Sequence, residues 1–192
     1  CVNTKIIGAN EHESHYFFDI IFNNTCDIDP DYASGDTHSI NRVNFILLPL
    51  IGKKFVPYIK NISKKSATIY SFRDPAFYEG SLIVPQGKID TRLILEEEDN
   101  IKRIFASLLL KETTQSVVVK KLSSYSRNNK TLRALRELDK ILMSIHILRF
   151  IDDPLLRRCI RTALNRGEAY HQLSGKIMSI IGSKRRGTTE LK

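Results

Sequence analysis

Apolar positions along the chain follow two regimes. Up to about residue 72 they come in short blocks between turn residues, and beyond Asp90 they recur at helical spacing. TKII, at residues 4 to 7, predicts a short β-like run. Glu11 to Phe22 predicts a helix with Tyr16, Phe17, Ile20 and Ile21 on its apolar side, stopped by Asn23, Asn24 and Thr25. After the Asp29-Pro30 turn, YASGDT reads as a short extended segment ending at Asp36. Ile40 to Ile51 reads as a largely buried helix, with Gly52 where a C-terminal cap belongs. FVPYI, at residues 55 to 59, has the content of a strand, so residues 32 to 59 predict one strand-helix-strand unit.

ATIYSF, at residues 67 to 72, predicts a further extended piece, and residues 73 to 90, with Pro75, Gly80, Pro85 and Gly87, an irregular linker. From Asp90 onward the pattern predicts no strand. It predicts helices over Ile94 to Leu110, Val117 to Leu122 and Leu132 to Ile151. Asp152-Asp153-Pro154 is a helix start, since Asp153 can cap free N–H groups and Pro154 is pre-set for the first turn. The helix that follows is predicted to run towards Ile181, with fraying after Gly182. Leu156, Ile160, Ala163, Leu164 and Ile177 lie along one side of it. Arg157, Arg161, Asn165, Glu168 and Gln172 form a neighbouring polar stripe. No internal repeat is visible.

Composition changes this picture in three ways. With 192 residues and 42% hydrophobic content the chain can bury a real core. Thirty Lys and Arg against twenty-one Asp and Glu give a formal charge of +9, which suits either a solvated basic surface or an anionic partner such as nucleic acid. The surplus is concentrated between Arg149 and Arg186, whereas residues 11 to 36 are acidic. Three cysteines, Cys1, Cys26 and Cys159, without CxxC spacing argue against a disulfide framework or zinc finger and for a reduced cytoplasmic setting. No apolar run approaches the roughly 20 residues of a membrane span, and the first residues lack a signal peptide's order. A chain that starts at Cys1 rather than Met reads as a fragment.

Two carboxylates stand out by context. Glu168 sits among Arg157, Arg158, Arg161, Arg166 and His171. Its spacing suits an ordinary ion pair with Arg161, Arg166 or Lys176. Gly167, just before it, costs the helix about 1 kcal/mol relative to Ala, which suggests close access to the backbone there. Asp36 ends a short strand at the mouth of a strand-helix unit, where a carboxylate suits either a hard divalent cation such as Mg²⁺ or, with Ser39, the capping of the next helix.

GDTHS at Gly35 to Ser39, KKLSSYSRNNKTLRALRELDKI at Lys120 to Ile141, and LRFIDDPLLRRCIRTALNRGEAYHQL at Leu148 to Leu173 together resemble the C-terminal catalytic region of Tn-three family transposases. The resemblance spans nearly the whole chain. It implies an α/β, partial RNase H-like fold over residues 1 to 72, a linker and large helical insertion over 73 to 152, and a C-terminal catalytic helix with a frayed tail over 153 to 192. It further implies an acidic triad in which Asp36 matches the second aspartate and Glu168 the glutamate, both as catalytic and metal-holding residues. The first aspartate would lie upstream of Cys1, and no residue here matches it.

The chemistry implied is Mg²⁺-assisted phosphoryl transfer, with Mn²⁺ able to substitute. Water cuts DNA at the transposon end, and the freed 3′-hydroxyl attacks target DNA, with two metals serving nucleophile and leaving oxygen. Arg157, Arg158, Arg161, Arg166 and His171 are the expected DNA contacts. The implied partners are transposon-end and target DNA in the nucleoid and, in the full-length protein, further copies of the same chain. Ser39, Tyr58 and Glu98 depart from the family pattern, where Gly, Arg and Trp are usual, and with the missing aspartate they predict that this chain alone is inactive. A non-catalytic helical DNA-binding or interaction domain is the competing reading. His12 and His15 are three apart rather than the four of HExxH, so they predict surface polar residues and no zinc site. His38 suits a phosphate contact or a turn, and Lys184 to Arg186 a basic patch or a solvated end.

Overall fold

The strand-helix-strand unit expected over residues 32 to 59 is present in the computed structural model, which describes residues 5–8, 11–35, 41–126 and 128–185. Strand β1 (Tyr32–Ala33) pairs in parallel with β2 (Lys54–Phe55), Tyr32 opposite Lys54 and Ala33 opposite Phe55. The ladder runs on beyond these bounds. The N–H of Val56 donates to the Ala33 carbonyl at 2.8 Å and that of Tyr58 to the Gly35 carbonyl at 3.2 Å. Pro57, between them, has no N–H to offer the opposite edge, where proline is tolerated. Its carbonyl there contacts His146 Nε2 at 3.0 Å.

Helix α2 (Arg42–Leu47) links the two strands. Asp36, Ser39 and Ile40 lie outside the described residues, and the cap is supplied by Asn41, whose Oδ1 accepts from the Val43 N–H at 3.0 Å. The expected helix to Ile51 tightens into a 3₁₀ turn, Leu48–Ile51, which contains Pro49. Gly52 then closes it in the left-handed conformation at φ 72°, as its position in the sequence predicts.

The helix expected from Glu11 to Phe22 is broken into a 3₁₀ turn, Glu13–His15, and α1 (Phe17–Phe22). The cause is a buried glutamine. A continuous helix would bond the Ser14 carbonyl to the Phe18 N–H. Instead that carbonyl accepts from Asn44 Nδ2 and Gln115 Nε2, each at 3.1 Å, while the Phe18 N–H donates to Gln115 Oε1 at 2.8 Å. The Gln115 backbone N–H donates in turn to both Asp19 carboxylate oxygens, at 3.0 and 3.2 Å. Burial pushes the Asp19 carboxyl above its ordinary range, and this N–H pulls it back. Of the predicted β-like run at the start, Lys5 to Ile7 take no regular form and Thr4 lies outside the described residues.

Two features between residues 60 and 90 were not anticipated. Helix α3 (Ile62–Ser66) follows Asn61, which stands at φ 60°. Strand β3 (Tyr70–Ser71), within the extended piece predicted over residues 67 to 72, pairs in parallel with β4 (Gly87–Lys88), which lies inside the segment read as irregular. A side chain at Gly87 would meet the Tyr70 ring at 3.3 Å, so glycine permits this approach.

The elements beyond Asp90 are helices, as expected: α4 (Thr91–Glu96), α5 (Glu98–Leu109), α6 (Gln115–Ser124), α7 (Lys130–Asp152) and α8 (Pro154–Arg185). The single helix predicted from Ile94 breaks at Glu97, whose Oε2 accepts from Thr131 Oγ1 at 2.7 Å and Asn100 Nδ2 at 2.8 Å. Helix α7, about 35 Å long from its 23 residues, is the central support. It packs against α2, α3, α4, α5, β3 and α8. Phe18, Phe45, Leu48, Phe55 and Leu108 form the core under β1 and β2. Val56, Ile59, Ile69, Ile147, Phe150 and Ile160 form a second core that receives α8. The architecture is mixed α/β but mostly helical, and no helix among the described residues is long and apolar enough to cross a membrane.

Candidate nucleic-acid interface

Helix α8 carries every candidate site residue except Asp36, which lies outside the described residues. Its start follows the sequence signal: Pro154 opens the first turn, and Asp153 Oδ1 accepts from the Leu156 N–H at 2.9 Å. Leu156, Ile160 and Leu164 dock on Val56, Ile59, Phe150 and their neighbours. Beyond Leu164 almost every described position of α8 is exposed, including Ile177, which the sequence pattern assigned with Ala163 to the buried side.

The arginines are not equivalent. Arg157 is half-buried, and its Nη1 donates to the carbonyls of Phe150 at 2.9 Å and Ile151 at 2.6 Å. Those carbonyls belong to the last turn of α7, so Arg157 satisfies orphan acceptors and sets a positive charge at the negative end of that helix. Arg158, Arg161 and Arg166 are exposed. Arg157, Arg158 and Arg161 line one side of a groove of about 560 Å³, with Tyr58, Asn61 and Ser63 on the other. Arg166 lies five residues past Arg161, about 140° further round the helix, and does not line it.

Glu168 is exposed, and Gln172 Nε2 donates to its Oε1 at 3.2 Å. The ion pair weighed from spacing, with Arg161, Arg166 or Lys176, is not among the salt bridges of the described residues. At seven residues beyond Arg161, Glu168 lies on the same side of α8, roughly 10 Å further along it. His171 is exposed, with its ring 6.2 Å from that of Tyr170. Gly167 has nothing within 4 Å of where a side chain would begin, so the close approach suggested by its place in the sequence does not come from the described residues.

The described chain stops one residue short of Asp36. Gly35, the last described residue before it, accepts the Tyr58 N–H, and Tyr58 lines the arginine groove. The β1–β2 ladder thus joins Gly35 to Tyr58, which lines the groove formed by the helix that bears Glu168. Sequence reasoning noted Tyr58 only as a departure from a pattern. Its place in the groove depends on strand pairing, which no local signal announces.

A larger cavity, about 700 Å³, lies elsewhere, among α2, α5, α6 and α7, with His12, His15 and Arg136 in its walls. Burial, and then the neighbouring His12, hold the His15 imidazole below its ordinary value. No group of three or more metal-ligating side chains occurs among the described residues.

The chain belongs to the Tn3 transposase DDE domain family, which matches residues 1–191. It is 32% identical over 174 residues to the transposase for transposon Tn1546 of Enterococcus faecium, covering 91% of this chain and 17% of that protein. It is 27% identical over 172 residues to the transposase for transposon Tn21 of Escherichia coli, covering 90% and 17%. With the transposase for transposon Tn4556 of Streptomyces fradiae it shares 26% over 173 residues, covering 90% and 19%. The chain therefore spans less than a fifth of the length of these relatives. No solved structure matches it.

Proposed function

We propose that this chain forms part of the catalytic region of a DDE-type transposase that cuts DNA at transposon ends and joins the freed 3′-hydroxyl to target DNA. The observation that carries this reading is the meeting of the β1–β2 ladder with the basic face of α8. Tyr58, bonded to Gly35, shares a groove with Arg157, Arg158 and Arg161 of the helix that bears Glu168. Membership of the transposase domain family supports it.

In this reading Asp36 and Glu168 hold a divalent metal, Mg²⁺ with Mn²⁺ able to substitute. The Glu168 carboxylate is exposed and has one hydrogen bond, to Oε1, among the described residues, so it offers the hard oxygen donor that Mg²⁺ takes. The metal supplies positive charge to the phosphoryl oxygens during attack and departure. The third carboxylate of the triad has no match in this chain and comes from elsewhere in the full-length protein, which acts as a homo-oligomer in the nucleoid. Arg158, Arg161, His171 one turn beyond Glu168 and, on the far side of α8, Arg166 meet DNA. Arg157 contributes charge from a fixed position.

Joining of pre-cut transposon-end DNA to a plasmid, in Mg²⁺ or Mn²⁺, tests the reading within a full-length transposase that contains this chain. Glu168→Gln is expected to reduce joining to background while leaving end binding intact, and the isolated chain to join nothing. Joining that persists in Glu168→Gln removes Glu168 from the catalytic set. Loss of end binding without a specific loss of joining favours a non-catalytic DNA-binding role.

A further inference from the structure

We propose that the groove between residues 58 to 63 and α8 cradles a single unpaired DNA strand, with Arg158 and Arg161 on its phosphates and a base stacked on Tyr58. This deepens the DNA reading above and rests on it. Three observations carry it. First, the described lining of the groove is one-signed: among the described residues it includes three arginines and no acid, and Lys60, Lys64 and Lys65 on the same loop and α3 are exposed. Second, its polar walls differ in freedom. Arg157 is fixed by the Phe150 and Ile151 carbonyls, whereas Arg158 and Arg161, three residues apart on one helix, are exposed and free to reach a backbone.

Third, Tyr58 is a fixed aromatic surface. Its backbone is held by Gly35, and its ring meets Phe150 edge-on at 5.8 Å and 78°, half-buried, while lining the groove. A rigid aromatic beside a basic track is the arrangement by which single strands are held, because every base has a face to stack and every nucleotide a phosphate to pair. A volume of about 560 Å³ is of small-ligand size and takes a base and its sugar-phosphate, whereas a duplex lies only across the mouth.

Fluorescence anisotropy of the 192-residue chain tests this with three labelled DNAs: a short single strand, the same strand with abasic sites, and its blunt duplex. The unmodified chain is expected to bind the single strand tightest and to lose roughly tenfold on the abasic strand. Tyr58→Ala is expected to lose the same factor on the single strand and little on the duplex, with Tyr58→Phe restoring it. Arg158→Ala with Arg161→Ala is expected to weaken all three DNAs and to flatten the salt slope by about 2. Because Tyr58 packs on Phe150, the abasic strand gives a result that needs no variant to fold.

Equal binding of the abasic and normal strands, equal loss on strand and duplex in Tyr58→Ala, or no DNA binding at low salt overturns the cradle. It falls alone if joining still depends on Glu168. The transposase reading falls alone if the cradle behaves as described while Glu168→Gln still joins strands.

Discussion

The first three turns of α8 and the rest of that helix have the same kind of sequence and opposite surroundings. Leu156, Ile160 and Leu164 are spaced four apart and sink into the core built on Phe150 and Val56. Tyr170, Leu173, Ile177 and Ile180 are spaced three and four apart and face outward, Tyr170 at 67% exposure. Periodicity specifies a stripe on a helix but not what covers it. The change falls at Leu164, one turn before Glu168, so the carboxylate stands on a helix anchored behind it and open around it.

The largest expected effect sharpens that contrast. Ile160, 3% exposed, is expected to cost about 2 to 4 kcal/mol when changed to Ala, whereas Ile177, 46% exposed, is expected to cost under about 0.5 kcal/mol. Urea denaturation followed by circular dichroism measures both, and similar losses would break the comparison. Next come the arginines. Arg157→Ala is expected to destabilise by roughly 1 to 2 kcal/mol, because the α7 carbonyls lose a charged donor, while Arg161→Ala leaves the urea midpoint in place and flattens the salt slope of DNA binding by about 1. Asp153→Ala, which removes the cap at the anchored end, is expected to cost about 1 kcal/mol. On the open side, Gly167→Ala meets no neighbour and is expected to stabilise by roughly 0.5 to 1 kcal/mol. A loss there instead would reveal a packing partner.

The last contrast is one of pH. Burial holds the His146 imidazole below 6.5, outweighing the Pro57 carbonyl, with Arg149 acting in the same direction as burial. The stability gained from the neutral ring is therefore complete above pH 6.5 and lost as pH falls through 6.5 towards the lower folded value. His15, depressed by burial, adds to this loss, and Asp19, raised by burial, opposes it further into acid. Thermal melts between pH 7.5 and 5 are expected to show a shallower decline in His146→Gln than in the unmodified chain.

What could be read from the sequence was local. Gly52, Asp153 and Pro154 announce a helix end and a helix start through their own chemistry, and both stand where they predict. The i, i+4, i+11 row of Arg157, Arg161 and Glu168 was equally legible, because helix geometry alone aligns it. What was missed depends on residues far apart in the chain. The β3–β4 pair joins two short segments without alternation, and the break at Tyr16 follows from Gln115, a polar residue whose burial nothing nearby predicts. The identity of Arg157 was visible but not its use, since the carbonyls it satisfies belong to the preceding helix.

Gln115 has a further consequence, for the order of folding. Its side chain and backbone hold partners 71, 96, 97 and 101 residues away, so these bonds form only after a long stretch of chain has closed. Docking of α1 is thus expected late, after the helices from α4 to α7 have assembled through nearer contacts. Truncating Gln115 should speed unfolding far more than it slows refolding, which makes this residue a latch on the finished domain rather than a seed for it.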